Sequence, residues 1–247
     1  GATGGIAGAA VAHLADCTRV RLIVKPSDWL FVVGLLLFAA LLRITGAAYG
    51  TPDATYQPST VPQQMAHMQA VVHPDEYVLA AIPVEMQLRS RMNPRFFEYP
   101  SGLFYVNLAL NVLTGAIHDP ADEALALRDG LNVRVYAPHS LYVFARLYTA
   151  LLGVLMVAAV YATTRLIAGR YAAMIAGLLV AVSFTLVQHA HYIKPGVPGA
   201  AFMALAMWAS IATLYARSQP VQLRLYLLAG VVLGFATTLR YNALAMG

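Results

Sequence analysis

The sequence predicts an all-α protein: a polytopic bundle of transmembrane helices with one large exterior loop that contains juxtamembrane helices. Three observations carry this. Of 247 residues, 60% are hydrophobic and only 11% are charged, against about 25% charged in an ordinary soluble domain, and the mean hydropathy is +0.64. Several apolar runs approach the roughly 20 residues that a helix needs to cross hydrocarbon. The acids are confined, with nine of eleven lying between residues 49 and 140 and none after Asp129. The net charge of +5 does not describe a nucleic-acid-binding face, because the arginines stand between apolar runs as topology signals. The single Cys17 allows no internal disulfide.

Two domains are expected, a cytoplasmic lead-in over 1–27 and a transmembrane domain over 28–247 with its exterior loop at 49–140. A glycine-rich run in residues 1–16 has the composition of a nucleotide-binding turn. That motif needs a preceding strand, and none is present, so an Ala/Gly-rich lead-in is the plainer reading. Arg19, Arg21 and Lys25 then mark the cytoplasmic side.

The first span is expected over Asp28 to Ala48, with Arg43 snorkelling to the far interface or facing a site. Within the loop, Asp75 to Met92 fits a helix that carries Val78, Ile82 and Met86 on one side, bent by Pro83. Ser101 to Ile117 is 17 residues without charge, either a span or an interfacial helix. Further spans are expected over Leu141 to Ile167, Tyr171 to Gln188, Gly196 to Ala216 and Leu225 to Leu239. The links flanked by Arg165/Arg170 and Arg217/Arg224 carry no acid, which assigns both to the cytoplasm. The count of crossings then leaves Ser101 to Ile117 on the outer surface. The large loop shares that exterior side with His189 to Pro195. The chain starts on Gly1 and stops within an apolar stretch, so a piece of a longer protein is expected.

The chemistry concentrates in His73-Pro74-Asp75-Glu76 and Asn93-Pro94-Arg95-Phe96-Phe97-Glu98-Tyr99-Pro100. Group transfer at a membrane surface needs a carboxylate to take or orient an acceptor proton, and cations to meet a leaving phosphate. Asp75 and Glu76 are the candidate carboxylates, with His73, Glu98 and Tyr99 beside them. Lys194, His191, His189 and Arg146 are the candidate phosphate partners. Each has an ordinary alternative. Acids after Pro74 suit a helix start, a lone Lys or His at a membrane edge is often an anchor, and the aromatics form an interfacial belt. His189 and His191 have no third metal ligand close in sequence.

Taken in order, the apolar span, His-Pro-Asp-Glu, Asn-Pro-x-x-Phe-x-Tyr-Pro-Ser, long helix pair and His-Tyr-x-Lys-Pro resemble the GT-C membrane glycosyltransferases. The similarity is closest to the family-39-like branch related to dolichyl-phosphate-mannose protein mannosyltransferases and aminoarabinose transferases, and covers about residues 28–247. In that family the first exterior loop carries an acidic pair, here Asp75-Glu76. A Phe-Glu-x-Pro element follows, here Phe97-Glu98-Tyr99-Pro100, and an Arg opens the second span, here Arg146. The second exterior loop usually carries an Asp where Gly196 stands in this chain.

The resemblance implies an inverting transferase that moves a sugar from a polyprenyl-phosphate carrier to an acceptor at the exterior face. Asp75 would be the base and Glu76 would support the acceptor or a metal. Lys194, His191 and Arg146 would meet the phosphate, with the donor tail in a groove between the spans and the 101–117 helix. The expected setting is a bacterial inner membrane. The expected partners are the lipid-linked sugar, the bilayer and an unidentified lipid, glycan or protein acceptor, with no nucleic acid. No cofactor is assigned and a divalent metal is left open. A transporter or flippase-like carrier and a non-catalytic envelope protein are the alternatives.

Overall fold

The structure is a computed structural model and describes residues 26–51, 73–115, 139–216, 218–241 and 243. The glycine-rich lead-in, Cys17, Arg217 and the acids at 53, 119, 122, 123 and 129 lie outside the described residues. Among the described residues the regular elements are helices. They are α1 (Pro26–Ile44), α2 (Pro74–Leu88), α3 (Gly102–Thr114), α4 (His139–Ile167), α5 (Gly169–Val182), α6 (Phe184–Ala190), α7 (Gly196–Tyr215) and α8 (Gln219–Leu239).

By length and composition, α4, α7 and α8 can each cross a membrane, and α5 with α6 makes a further, bent candidate when the two are taken as one span. The 19 residues of α1 rise about 28 Å at 1.5 Å per residue, close to the thickness of hydrocarbon. Helix α4 is the central post, packing on α1, α5, α7 and α3. At one end of the bundle, buried Asp28 of α1 draws in Arg170 Nε at 3.0 Å and Arg165 Nη2 at 3.6 Å. This gathers the start of α1, the end of α4 and the start of α5. At the other end Arg146 of α4 reaches the carbonyls of Ala47 and Tyr49 beyond α1. The alternation of ends is the one expected for successive crossings.

Several boundaries differ from the sequence reading. Helix α1 stops at Ile44, not Ala48, because Gly46 turns the chain at φ 85°, a region glycine enters at little cost. Helix α8 starts at Gln219, six residues earlier than expected, since Pro220 fits the first helical turn. The expected single helix over Tyr171 to Gln188 is broken at Ser183, whose ψ of 114° is extended, and α6 leaves α5 at 54°. Arg43 neither snorkels nor faces a site. It is fully buried and its Nη1 and Nη2 donate to the carbonyls of Ala181 at 3.0 Å and Val180 at 3.1 Å, in the last turn of α5. That turn leaves carbonyls without helical partners, so the guanidinium finds acceptors there.

The juxtamembrane layer is α2 on α3. Pro83 lies within α2 as expected. Its burial is wider than one stripe: Tyr77, Leu79, Ala80, Ala81, Val84 and Met86 are all buried, while Val78 and Ile82 pack at the margin of the same cluster. Helix α2 therefore faces α3 on one side and the bundle on the other. Asn107 Nδ2 donates to the Leu79 carbonyl at 2.8 Å and Asn111 donates to Gln87, which ties the two helices. At 13 residues, α3 spans about 20 Å, too short for roughly 30 Å of hydrocarbon. Its first residue touches α8 closely: a Cβ on Gly102 would sit 2.5 Å from the Thr238 carbonyl oxygen.

Candidate active site

The site is built on the first turn of α2. Pro74 opens the helix, and His73 precedes it with extended backbone, its Nδ1 accepting from the Asp75 N–H at 3.2 Å. Consecutive helical residues point about 100° apart, since a turn holds 3.6 residues. Asp75 and Glu76 are therefore sent in different directions, and their surroundings differ accordingly.

Glu76 is fully buried. Its Oε1 accepts from Arg146 Nε at 2.8 Å and from the Ile193 N–H at 2.8 Å, and its Oε2 accepts from Arg146 Nη2 at 2.7 Å. Arg146 places its remaining terminal nitrogen on Ala47 O at 3.0 Å and Tyr49 O at 2.6 Å. Four segments of the chain thus meet on one ion pair: the turn after α1, α2, α4, and the link from α6 to α7 through Ile193.

Asp75 remains partly open, with about a third of its side chain exposed. Lys194 Nζ lies 3.3 Å from its Oδ2 and His73 Nδ1 3.7 Å away. The Tyr99 hydroxyl hydrogen-bonds to Asp75. Burial, the charge of Asp75 and this bond, with Glu98 adding, hold the Tyr99 phenol above its ordinary range. Tyr99 is held by Phe96, which stacks on it at 6.1 Å and meets Phe104 of α3 edge-on at 5.9 Å. Burial and the Lys194 charge hold His73 below the usual imidazole range, against the opposing pull of Asp75 and Glu76; His189 also lowers it. The His73 ring lies 5.3 Å from that of Tyr192.

The sequence candidates therefore divide. Asp75, His73, Tyr99 and Lys194 are brought together. Glu76 and Arg146 are brought to each other and to main chain. Glu98 is exposed beside Tyr99. His191 is turned toward carbonyls, Nδ1 to Val187 O at 2.8 Å and Nε2 to Thr45 O at 2.9 Å. Among the described residues no three His, Cys, Asp or Glu side chains are grouped to hold a metal ion. Around Asp75 the nearest charged neighbour is Lys194, itself a cation. Sequence reasoning missed the Ile193 N–H and the carbonyls of Ala47 and Tyr49, since main-chain partners leave no trace in side-chain identity. It also missed Tyr192 against His73, although the two aromatic rings stand in the two polar loops it singled out.

Beside the site runs a groove of about 670 Å³, overwhelmingly apolar. Pro100, Ser101, Gly102, Tyr105, Val106 and Ala109 form one wall, and Phe235, Thr237, Thr238 and Tyr241 the other. Its lining begins at Pro100, the residue that follows Tyr99 in the chain.

Fold and site define a helical integral membrane protein with a polar, carboxylate-bearing cluster at one end of its bundle. Residues 140–247 match the family model described as dolichyl-phosphate-mannose-protein mannosyltransferase. Over that part of the chain the match supports the GT-C, family-39-like relationship read from the motifs. It begins just after His139 and includes Arg146 and Lys194, whereas the Asp75 loop lies before it. No curated protein and no solved structure matches the chain.

Proposed function

We propose that the protein transfers a sugar from a polyprenyl-phosphate carrier to an acceptor hydroxyl, with inversion, at the exterior face of its membrane. The observation that carries this reading is the half-open Asp75 carboxylate. It is partly exposed and stands among a lysine, a phenol and an imidazole. Asp75 takes the acceptor's proton as the acceptor oxygen bonds to the anomeric carbon. The bond from that carbon to the phosphate oxygen breaks, and the electron pair leaves with the polyprenyl phosphate. Lys194 meets the negative charge gathering on that phosphate. Tyr99 and His73 fix the Asp75 carboxylate.

The α3–α8 groove suits the polyprenyl tail, being apolar and open beside the cluster. Glu76, Arg146 and His191 spend their hydrogen bonds within the protein, which favours positioning roles for all three over direct contact with donor or acceptor. The exterior assignment is supported by the opposite end of the bundle, where Arg165 and Arg170 gather as cytoplasmic cations do. The test is transfer from labelled polyprenyl-phosphate sugars in membranes that contain the protein, with the anomeric configuration of the product determined. Inverted product is expected. No transfer from any such donor, or retained configuration, contradicts the reading.

A further inference from the structure

Arg43 is a buried cation in a helix that lies among apolar neighbours, a position that costs stability and commonly marks function. It meets no carboxylate among the described residues. Its donors go to Ala39 O at 3.2 Å in its own helix and to Ala181 O and Val180 O at the end of α5. That end is where the crossing breaks at Ser183, and a guanidinium there complements the negative pole of the α5 dipole. Two residues on, just past the end of α1, the Thr45 carbonyl meets His191 Nε2 at the far end of α6. The end of α1 and the turn after it thus hold the chain on both sides of α6, Arg43 on the end of α5 and Thr45 on His191. The chain that leaves α6 supplies the Ile193 N–H to Glu76 and the Lys194 ammonium to Asp75.

We propose that Arg43 is a positioning residue for the site: it fixes the break between α5 and α6 so that the α6–α7 link presents Lys194 to Asp75. The positioning stands on geometry alone. Its consequence for sugar transfer rests on the function proposed above. Helix α4 is shaped to receive this side chain. A Cβ on Gly153 would lie 2.9 Å from both Cδ and Nε of Arg43, and the end of a long side chain gives way before a helix backbone does. Gly153→Ala therefore displaces the guanidinium while leaving Arg43 in the sequence. Arg43→Lys keeps the charge but loses the planar fork that spans two carbonyls.

The test places spin labels on Phe144→Cys in α4 and Thr185→Cys in α6, in a Cys17→Ser background of the full chain in liposomes. The distance between them is measured by pulsed electron paramagnetic resonance. Arg43→Lys and Gly153→Ala are each expected to shift or broaden that distance. In the transfer assay each is expected to raise the donor KM about tenfold with little change in kcat, and not to add to the effect of Lys194→Met, as for residues acting through one element. An unchanged distance in both variants overturns the proposal, whether or not the protein transfers sugar. If Arg43→Lys does not fold, Gly153→Ala decides. Additive effects with Lys194→Met overturn the link to the site. A shifted distance in a protein that transfers no sugar removes the function and leaves the positioning in place.

Discussion

Arg146 and Glu76 meet side by side: Nε lies 2.8 Å from Oε1 and Nη2 lies 2.7 Å from Oε2, and neither side chain is more than 2% exposed. The two residues are 70 positions apart, and one carries the first turn of the juxtamembrane layer while the other opens the central crossing. The pair is the joint between those two layers. The main-chain groups of Ala47, Tyr49 and Ile193 complete its hydrogen bonds, which helps offset the large desolvation penalty of a buried ion pair.

Breaking one side of this joint leaves a buried charge alone. Glu76→Gln and Arg146→Met should each destabilise the protein by about 3–5 kcal/mol, the usual cost of removing one partner. Thermal unfolding in detergent checks this, with the double variant giving the coupling. A loss below about 1 kcal/mol in the single variants, typical of an exposed pair, contradicts the joint.

His73 supplies a pH dependence of known sign. Its pKa is lowered in the folded protein, chiefly by burial and then by Lys194. The folded state therefore binds fewer protons than the unfolded chain. The contribution to stability is present above the unfolded value near pH ~6.5 and is lost as pH falls through the lower folded value. Protonation of Nδ1 also removes the acceptor that caps Asp75 N–H. The melting temperature should fall as pH drops below about 6.5. His73→Asn, which keeps a capping oxygen, should flatten that slope. Equal slopes in the two proteins count against the assignment.

The alternation of bundle ends predicts sidedness. In a Cys17→Ser background, cysteines at Tyr49 and Phe97 should react with an impermeant reagent from one face, and cysteines at Ala168 and Ser218 only from the other. Tyr49 and Ala168 reacting from the same face contradicts the arrangement.

Much of this was legible. Composition and apolar runs pointed to the membrane bundle, and the long apolar helices α4, α7 and α8 fall where spans are expected. The Asp75-Glu76 pair, Tyr99 and Lys194 were singled out from loops far apart in sequence, and three of the four meet at Asp75. The separate fates of Asp75 and Glu76 were not legible, because adjacency in sequence becomes an angle of about 100° only once a helix is fixed. The break at Ser183 has no Pro or Gly to signal it, and the carbonyls before it accept from Arg43, a residue far away in sequence. The early start of α8 was hidden because Gln219, Gln222 and Arg224 interrupt the apolar run, although all three sit on helix near a membrane edge, where polar side chains reach water.

Lys194 should separate donor binding from the chemical step. Lys194→Ala removes the cation expected to meet phosphate, and the donor KM should rise about tenfold or more, as for loss of a charge-assisted contact. Initial rates across donor concentration read this directly. An unchanged donor KM removes Lys194 from phosphate recognition.

If the Asp75 carboxylate takes the acceptor proton, Asp75→Asn removes the base and little else. Asn keeps the size of the side chain and also suits a helix N-terminus, so α2 and the Glu76–Arg146 joint should be undisturbed. The measurement is the transfer rate of purified Asp75→Asn protein at saturating donor, beside its melting temperature. The rate should fall about 10²–10⁴-fold, the usual worth of a general base, with the melting temperature near that of the unsubstituted protein. A folded Asp75→Asn protein that retains at least about half the rate, far outside that range, contradicts it.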